Sequence, residues 1–330
     1  MKIVDYHRDH PVKHWIKEQL NRAPSVYERV LQIKHARRDR QVAPQIRGHI
    51  DRLRSHKTLP LFSEIQFETL NRCNGGCSFC PVNRFDDPRE QALMSEDLYH
   101  KIIDNLAALN YGSTVYFHGN NEPLLDKRIY GFIEYARKQL PKARLAMFTN
   151  GTALTVDRFK TLVTHLDNLV IDNYNDDLVL NTSTKKVVDF CDANPEWGEK
   201  ARVSIRKETE KLDKRGSNAK NRATIKTLES SCLRPFTQIN VRPDGKISLC
   251  CNDSLGDVTL GNLQTQSLLE IWYGADFDDV RQKMLKGRAH IDLCKECDTM
   301  FCPDSDRKWV VNAAAESYAA GTLELKPETA

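Results

Sequence analysis

No stretch of this chain is apolar for the roughly 18–20 residues that a membrane-spanning helix needs. The opening residues, Met1-Lys2-Ile3-Val4-Asp5-Tyr6-His7-Arg8, lack the apolar segment of a secretory signal. There is no internal repeat, no low-complexity stretch and no motif of a nucleic-acid reader. These absences set aside integral membrane and exported classes, leave nucleic acid without a reader, and predict a cytoplasmic protein. What is there is ordinary for a soluble enzyme: 330 residues, 40% hydrophobic and 28% charged, enough for one large domain and a smaller one. Ten Cys in a chain without a signal argue for metal ligation in a reducing compartment rather than for disulfides.

The net charge of +4 conceals an asymmetry. Residues 1–60 hold 14 Lys and Arg against 6 Asp and Glu, so the remainder is net acidic. This leader reads as helical and carries Arg37, Arg38, Arg40, Arg47, Arg52 and Arg54 among His35, His49 and His56. Two readings stay open: an amphipathic leader packed on the main domain, or a basic arm for an anionic partner or substrate, such as a phosphorylated or nucleotide-linked compound.

From Ser63 to about Glu208, short strand-like runs alternate with amphipathic helical patterns. The strand runs are 64–68, 114–117, 145–148, 169–171 and 202–205. Ser95 is placed to cap a helix bearing Leu98, Ile102, Leu106 and Leu109 and ended by Gly112. Ile129, Phe132, Ile133, Ala136 and Leu140 repeat the pattern, and so do Phe159, Leu162 and Val163 after Thr155. Such alternation predicts an α/β fold with a parallel sheet and a site at the carboxyl ends of its strands. Residues 207–222 are charged and aperiodic, a surface connection or an active-site loop. After them, 236–241 and 246–249 around Pro243-Asp244-Gly245 read as a hairpin, Ser267 starts a helix through Trp272, and 313–330 form a frayed helix and tail.

Cys73-Asn74-Gly75-Gly76-Cys77-Ser78-Phe79-Cys80 sets three thiols at C-x3-C-x2-C spacing. Iron–sulfur clusters are normally held by four Cys, so three with no fourth nearby leave one iron open to a ligand that is not protein. Zinc would want four ligands, typically as two close pairs. Neighbouring Cys in a tight loop rarely meet disulfide geometry.

This triplet, with Phe79 before its last Cys, resembles the radical S-adenosylmethionine (SAM) superfamily. The resemblance implies a [4Fe–4S] cluster on Cys73, Cys77 and Cys80 whose open iron is chelated by SAM. One electron then splits the sulfonium to give a 5′-deoxyadenosyl radical that takes a hydrogen atom from an unactivated carbon. It implies a partial (β/α)6 barrel as the fold. Phe117-His118-Gly119-Asn120-Asn121-Glu122-Pro123 stands where the family usually reads Gly-Gly-Glu-Pro; Gly119, Asn120, Asn121 and Glu122 are thereby implied at the SAM amino group, with Asn replacing both Gly. Asn150 in Thr149-Asn150-Gly151 is implied at the SAM pocket's border, Arg206 at its carboxylate or ribose, and Phe79 at adenine. A surface salt bridge is an equally open reading of Arg206.

Cys232-x12-Gly245-x4-Cys250, followed by Cys294-x2-Cys297 and Cys302, resembles the C-terminal SPASM extension in its shortened twitch form, a small α+β iron–sulfur domain. One auxiliary [4Fe–4S] cluster on Cys232, Cys250, Cys294 and Cys297 is expected; a structural zinc site with four Cys ligands is the alternative. The expected division is 1–60 leader, 61–225 barrel, 226–312 auxiliary domain and 313–330 tail. Cys251 and Cys302 remain as hydrogen-atom donors, packing residues or alternative ligands, and Cys191 as a buried apolar residue. Asp172, Asn173, Tyr174 and Asn175 read as a turn or as contacts to substrate hydroxyls, and His118 as structural or substrate-facing. The layout resembles aminoglycoside epimerases and aminocyclitol dehydrogenases, which implies hydrogen abstraction from a carbinol carbon of a sugar or aminocyclitol, then epimerisation or oxidation. A peptide-modifying SPASM enzyme is the competing reading. A flavodoxin or ferredoxin electron donor is implied in every case.

Overall fold

The computed structural model describes residues 1–56, 58–216, 218–219, 226–301 and 309–322. Nine strands form one sheet, in the order β1-β6-β5-β4-β3-β2-β7-β8-β9. The strands are β1 (Lys2–Asp5), β2 (Glu64–Phe67), β3 (Thr114–Tyr116), β4 (Arg144–Thr149), β5 (Asn168–Tyr174), β6 (Ala201–Arg206), β7 (Gln238–Val241), β8 (Lys246–Ser248) and β9 (Thr259–Asn262). All pairings from β1 through β7 are parallel, and β8 and β9 add an antiparallel edge. The five strand runs expected from sequence are β2 to β6. The sheet is not closed, as a partial barrel requires.

The helices between these strands form where apolar residues recur at helical spacing below a capping side chain. In α3 (Glu96–Ala108), the Ser95 hydroxyl accepts from the Leu98 N–H, and Leu98, Tyr99, Ile102, Ile103 and Leu106 are buried. This helix ends before Gly112: Leu109 closes it and Asn110 takes the left-handed turn at φ 50°. Asn tolerates that conformation because its short polar side chain can bond locally. Next come α4 (Ile129–Gln139), α5 (Val156–His165) and α6 (Thr182–Ala193), the last two capped by Thr155 and Asn181. Cys191 of α6 is fully buried in the core.

One feature of the leader was not foreseen. Its first residues make β1, which lies parallel to β6 in register Lys2 with Arg202 through Asp5 with Ile205. Behind it run α1 (Pro11–Asn21) and the 31-residue α2 (Pro24–Arg54), each with Pro in its first turn, where a missing N–H costs nothing. The inner side of α2 is packed on the main body. Its buried Asp39 accepts from the backbone N–H of Glu229 and Ser230, and His49 meets the edge of Trp309.

Past β7, the hairpin turns at Gly245 (φ 78°) as expected. A capping box between Ser267 and Glu270 starts α7 (Leu268–Trp272), and the indole of Trp272 donates back to the Pro60 carbonyl. The remaining helices are α8 (Ala275–Lys286), α9 (Asp292–Lys295) and α10 (Ala313–Thr322). Among the described residues, no helix is long and apolar enough to cross a membrane.

Candidate active site

The carboxyl ends of β2 to β5 open onto one cavity of about 520 Å3. At one end it is lined by Cys73, Cys77 and Cys80 from the loop after β2. Gly119, Asn120, Asn121 and Glu122 come from the end of β3, Asn150 from β4, and Phe79 from within the Cys loop. At the other end stand Cys251 and Asn252, which directly follow Cys250. Of the residues singled out around SAM, Arg206 alone lies elsewhere. Its guanidinium pairs with Glu210 at 2.8 Å and stacks on Tyr6, beside a separate cavity. Cys302 lies outside the described residues.

Local hydrogen bonds show why these loops hold their shape. The Gly75 N–H donates to the Cys73 sulfur at 3.3 Å. Glu122, almost fully buried, does not point free carboxylate oxygens into the cavity. It accepts from the Thr149 hydroxyl and the Asn150 N–H, both at 2.6 Å, and from the Leu124 N–H at 3.0 Å. Glu122 therefore ties the end of β4 to the end of β3. Gly119 is required for a different reason: a Cβ there would stand 2.5 Å from Cγ of Glu68. Glu68 in turn is buried against Arg89 at 3.1 Å and accepts from the Asn120 N–H.

Asn120 joins the two ends of the cavity. Its amide donates to the Cys251 carbonyl at 3.1 Å and its oxygen accepts from Arg215 at 2.9 Å. Arg215 lines the cavity with a left-handed backbone (φ 46°), a strained conformation for a side chain of this size. Its neighbours are clamped from the C-terminal part of the chain. The Lys214 N–H donates to Asp298, Lys214 pairs with Glu296, and Thr299 donates to Asp213. Arg215 and the Glu68–Arg89 pair are the residues that sequence reasoning missed. Arg215 sits in the aperiodic run after β6, where the only signal was a high density of charge.

Asp172 and Tyr174 belong to β5 itself, which runs three residues further than the apolar run suggested, and both line the cavity. Asn173, between them, faces away and holds the following loop through Val179 and Asn181. Burial raises the Asp172 carboxyl to about 6, against the opposing pull of Ser204 and of Arg206, Arg202 and Arg215. Burial lowers His118 to about 3, so its ring is neutral; Nδ1 accepts from the Phe148 N–H, which leaves the ring proton on Nε2.

Cys232, Cys250, Cys294 and Cys297 are all buried and unpaired. Burial and then the neighbouring thiols raise Cys294 to about 12, and the same causes hold Cys250 far up. In the triplet, burial raises Cys73 to about 11. Two separated thiol groups that resist ionisation by themselves suit a cationic inorganic core, which offsets the charge of bound thiolates. Among the described residues, no three His, Cys, Asp or Glu side chains are placed to hold one metal ion. A cluster takes one thiolate at each separate iron, and both donor sets consist of thiols alone. In the cavity, the Asn121 amide nitrogen is buried with no partner among the described residues, a donor left for a ligand oxygen.

Comparison with known proteins agrees with this geometry. Residues 67–178 match the family model of the Radical SAM superfamily, and residues 232–298 match the SPASM iron-sulfur cluster-binding domain. A curated S-adenosyl-L-methionine-dependent 2-deoxy-scyllo-inosamine dehydrogenase of Niallia circulans is 26% identical over 253 residues, 73% of this chain and 94% of that protein. The crystal structure of BtrN in complex with AdoMet and 2-DOIA superposes with a TM-score of 0.66 at 25% identity, covering 75% of this chain and 97% of BtrN. Streptococcus suis SuiB bound to precursor peptide SuiA shares the fold, with a TM-score of 0.53 at 16% identity over 76% of this chain and 74% of SuiB. The two domains imply SAM, a SAM-binding [4Fe–4S] cluster and an auxiliary iron–sulfur cluster.

Proposed function

We propose that this chain, a radical SAM enzyme carrying an iron–sulfur SPASM domain, oxidises a carbinol carbon of a small polar ring, an aminocyclitol or a related sugar, to the ketone. The observation that carries the reading is the single cavity running from Cys73, Cys77 and Cys80 to Cys251 and Asn252 beside Cys250. A substrate of small-molecule size would there lie between both cluster positions. The likeness to a 2-deoxy-scyllo-inosamine dehydrogenase supports the substrate class. In this reading Cys73, Cys77 and Cys80 hold the SAM-binding cluster, and Cys232, Cys250, Cys294 and Cys297 the auxiliary one. When bound, the SAM-binding cluster in its reduced state would supply hydrogen-atom abstraction through SAM, and the auxiliary cluster in its oxidised state an acceptor for one electron.

Oxidation of CH–OH to C=O removes a hydrogen atom, a proton and an electron, and the proton is the part left to side chains. Asp172, ionised above about pH 6, is the acceptor. Arg215 faces the hydroxyl oxygen and offsets charge that develops on it as the proton leaves. Tyr174 and neutral His118 donate to the remaining polar groups of the ring. Phe79, tilted against Tyr174 with centroids 5.3 Å apart, shields the reacting carbon from water. A flavodoxin or ferredoxin serves as the electron donor.

A second reading, epimerisation, is favoured by one residue. Cys251 lines the cavity, and burial keeps its thiol protonated, able to return a hydrogen atom. One experiment separates the two. Reconstituted enzyme is incubated anaerobically in D2O with SAM, a reductant and a panel of aminocyclitols and amino sugars. Ketone with 5′-deoxyadenosine and no deuterium on carbon supports oxidation. A deuterated epimer that disappears in Cys251→Ser supports epimerisation. Neither product from any member of the panel refutes the carbinol reading.

A further inference from the structure

Two arginines beside the C-terminal thiols have no part in the chemistry of the reaction cavity. Arg234 begins the helical turn Arg234–Phe236 just after Cys232, and Arg288 begins the turn Arg288–His290 between α8 and α9. Arg288 is 1% exposed, and its guanidinium donates to the carbonyls of Ser230 at 2.8 Å and Cys297 at 3.4 Å. Arg234 lies over the ring of Phe301 and donates to Gln238 Oε1 at 3.2 Å and to the Cys251 sulfur. One nitrogen of each, Arg234 Nε and Arg288 Nη2, is buried with no hydrogen-bond partner among the described residues.

Among the described residues, neither guanidinium forms an ion pair with a carboxylate. The ionisable groups acting on Arg234 are, strongest first, Cys251, Cys250, Cys232 and then Glu64, which accepts from Gln238 at 3.1 Å. Arg288 acts on Cys294. A buried cation without an opposite charge is strongly destabilising, and protonated thiols supply none. Four thiolates around an oxidised [4Fe–4S] core make a dianion, and one-electron reduction adds a further negative charge. Arg281 is the contrast. It is equally buried, but it stacks on Trp272 and Phe277, and the groups acting on it are Asp278 and Tyr273 rather than thiols.

We propose that Arg234 and Arg288 are the counter-cations of the auxiliary cluster and hold its reduction potential up. The inference rests on the placing of that cluster at Cys232, Cys250, Cys294 and Cys297. A fixed positive charge nearby favours the reduced form over the oxidised one, because the reduced form carries more negative charge. Asn252, whose amide donates to the Cys297 sulfur at 3.7 Å, acts in the same direction without a full charge. In the oxidation reading, the electron taken up is the one left on the substrate once its hydrogen atom and proton have gone, so the two arginines ease the last step of ketone formation.

The test is a potentiometric titration, read by electron paramagnetic resonance, of the reconstituted full-length chain carrying Cys73→Ala, Cys77→Ala and Cys80→Ala, so that the auxiliary cluster alone gives a signal. Arg234→Gln in this background is expected to lower the midpoint by at least about 59 mV, the equivalent of a tenfold fall in the one-electron equilibrium constant. Arg288→Gln is expected to lower it too. Arg234→Lys, which keeps the charge, should recover more than half of the shift, and Arg281→Gln should keep the parent's midpoint. An unchanged midpoint in both Gln variants at about four irons per chain, equal falls in Arg234→Gln and Arg234→Lys, or an equal fall in Arg281→Gln overturns the proposal. Where Arg234→Gln holds no cluster, Arg288→Gln decides alone. Zinc in place of iron in the parent of the series removes the auxiliary cluster itself, a separate failure read from metal content before any potential is measured.

Discussion

Replacing Gly119 by Ala tests how the loop after β3 is held. The new Cβ would stand 2.5 Å from Glu68 Cγ and 2.8 Å from its Oε1. Glu68 cannot swing aside cheaply, because it is buried, pairs with Arg89 at 3.1 Å and accepts from the Asn120 N–H. Overpacking of this kind costs about 1–3 kcal/mol. Parting a buried ion pair costs about 3–5 kcal/mol when one partner is lost outright, and only a fraction of that applies here, since Arg89 keeps Asp87 at 2.9 Å. The expected loss is about 2–4 kcal/mol, a fall in melting temperature of roughly 3–6 °C. Anaerobic calorimetry of the reconstituted protein measures it. Because the obstacle is a single side chain, Gly119→Ala made in a Glu68→Ala background should cost less than about 1 kcal/mol. A Gly119→Ala protein that melts like the parent, or one equally damaged in both backgrounds, would refute the reasoning.

Asp172→Asn is expected to abolish the acid limb of the turnover profile, which in the parent falls as pH drops through about 6, where burial has placed this carboxyl. Its stability effect has a definite sign. A carboxyl raised above its unfolded value favours the folded state at low pH, and that advantage is lost as pH rises through about 6; the Asn variant should therefore melt closer to the parent in acid and above it at neutral pH. Arg215→Met removes a charged hydrogen-bond donor from the cavity and should lower kcat/KM by about 10- to 100-fold, the range for a lost charge-assisted bond; an unchanged value would exclude contact with substrate. Cys232→Ala or Cys250→Ala should take bound iron from about eight to about four per chain while Cys73→Ala removes the other four, as two four-iron clusters require. Asp39→Ala strands the N–H groups of Glu229 and Ser230 and should cost about 1–3 kcal/mol in urea titrations.

Much of the site could be read from the sequence because it is encoded in short-range spacing. The C-x3-C-x2-C run, the turn residues after β3 and β4, and the capping Ser95 and Thr155 each carry their signal within a few residues. Strand β1 escaped notice because four residues with two outward faces exposed carry little pattern, and only β6 gives them a partner. The extension of β5 through Tyr174 was hidden by its polar residues, which end an apolar run without ending the hydrogen-bond ladder. Arg215 was illegible for a different reason. Its position depends on Asp298, Glu296 and Thr299, more than 80 residues away, and no local pattern encodes that clamp. Arg206 shows the reverse: it ends β6, but Glu210 and Tyr6 draw its side chain to the other cavity.

The parallel pairing of β2 with β7 has a consequence for electron traffic. The strand that leads into the Cys73 loop is zipped, residue by residue from Glu64 with Gln238 to Phe67 with Val241, to the strand that begins the hairpin before Cys250. The two groups of sulfurs thus follow strands held in one ladder. To widen the path of an electron between them by parting those strands would mean breaking backbone hydrogen bonds.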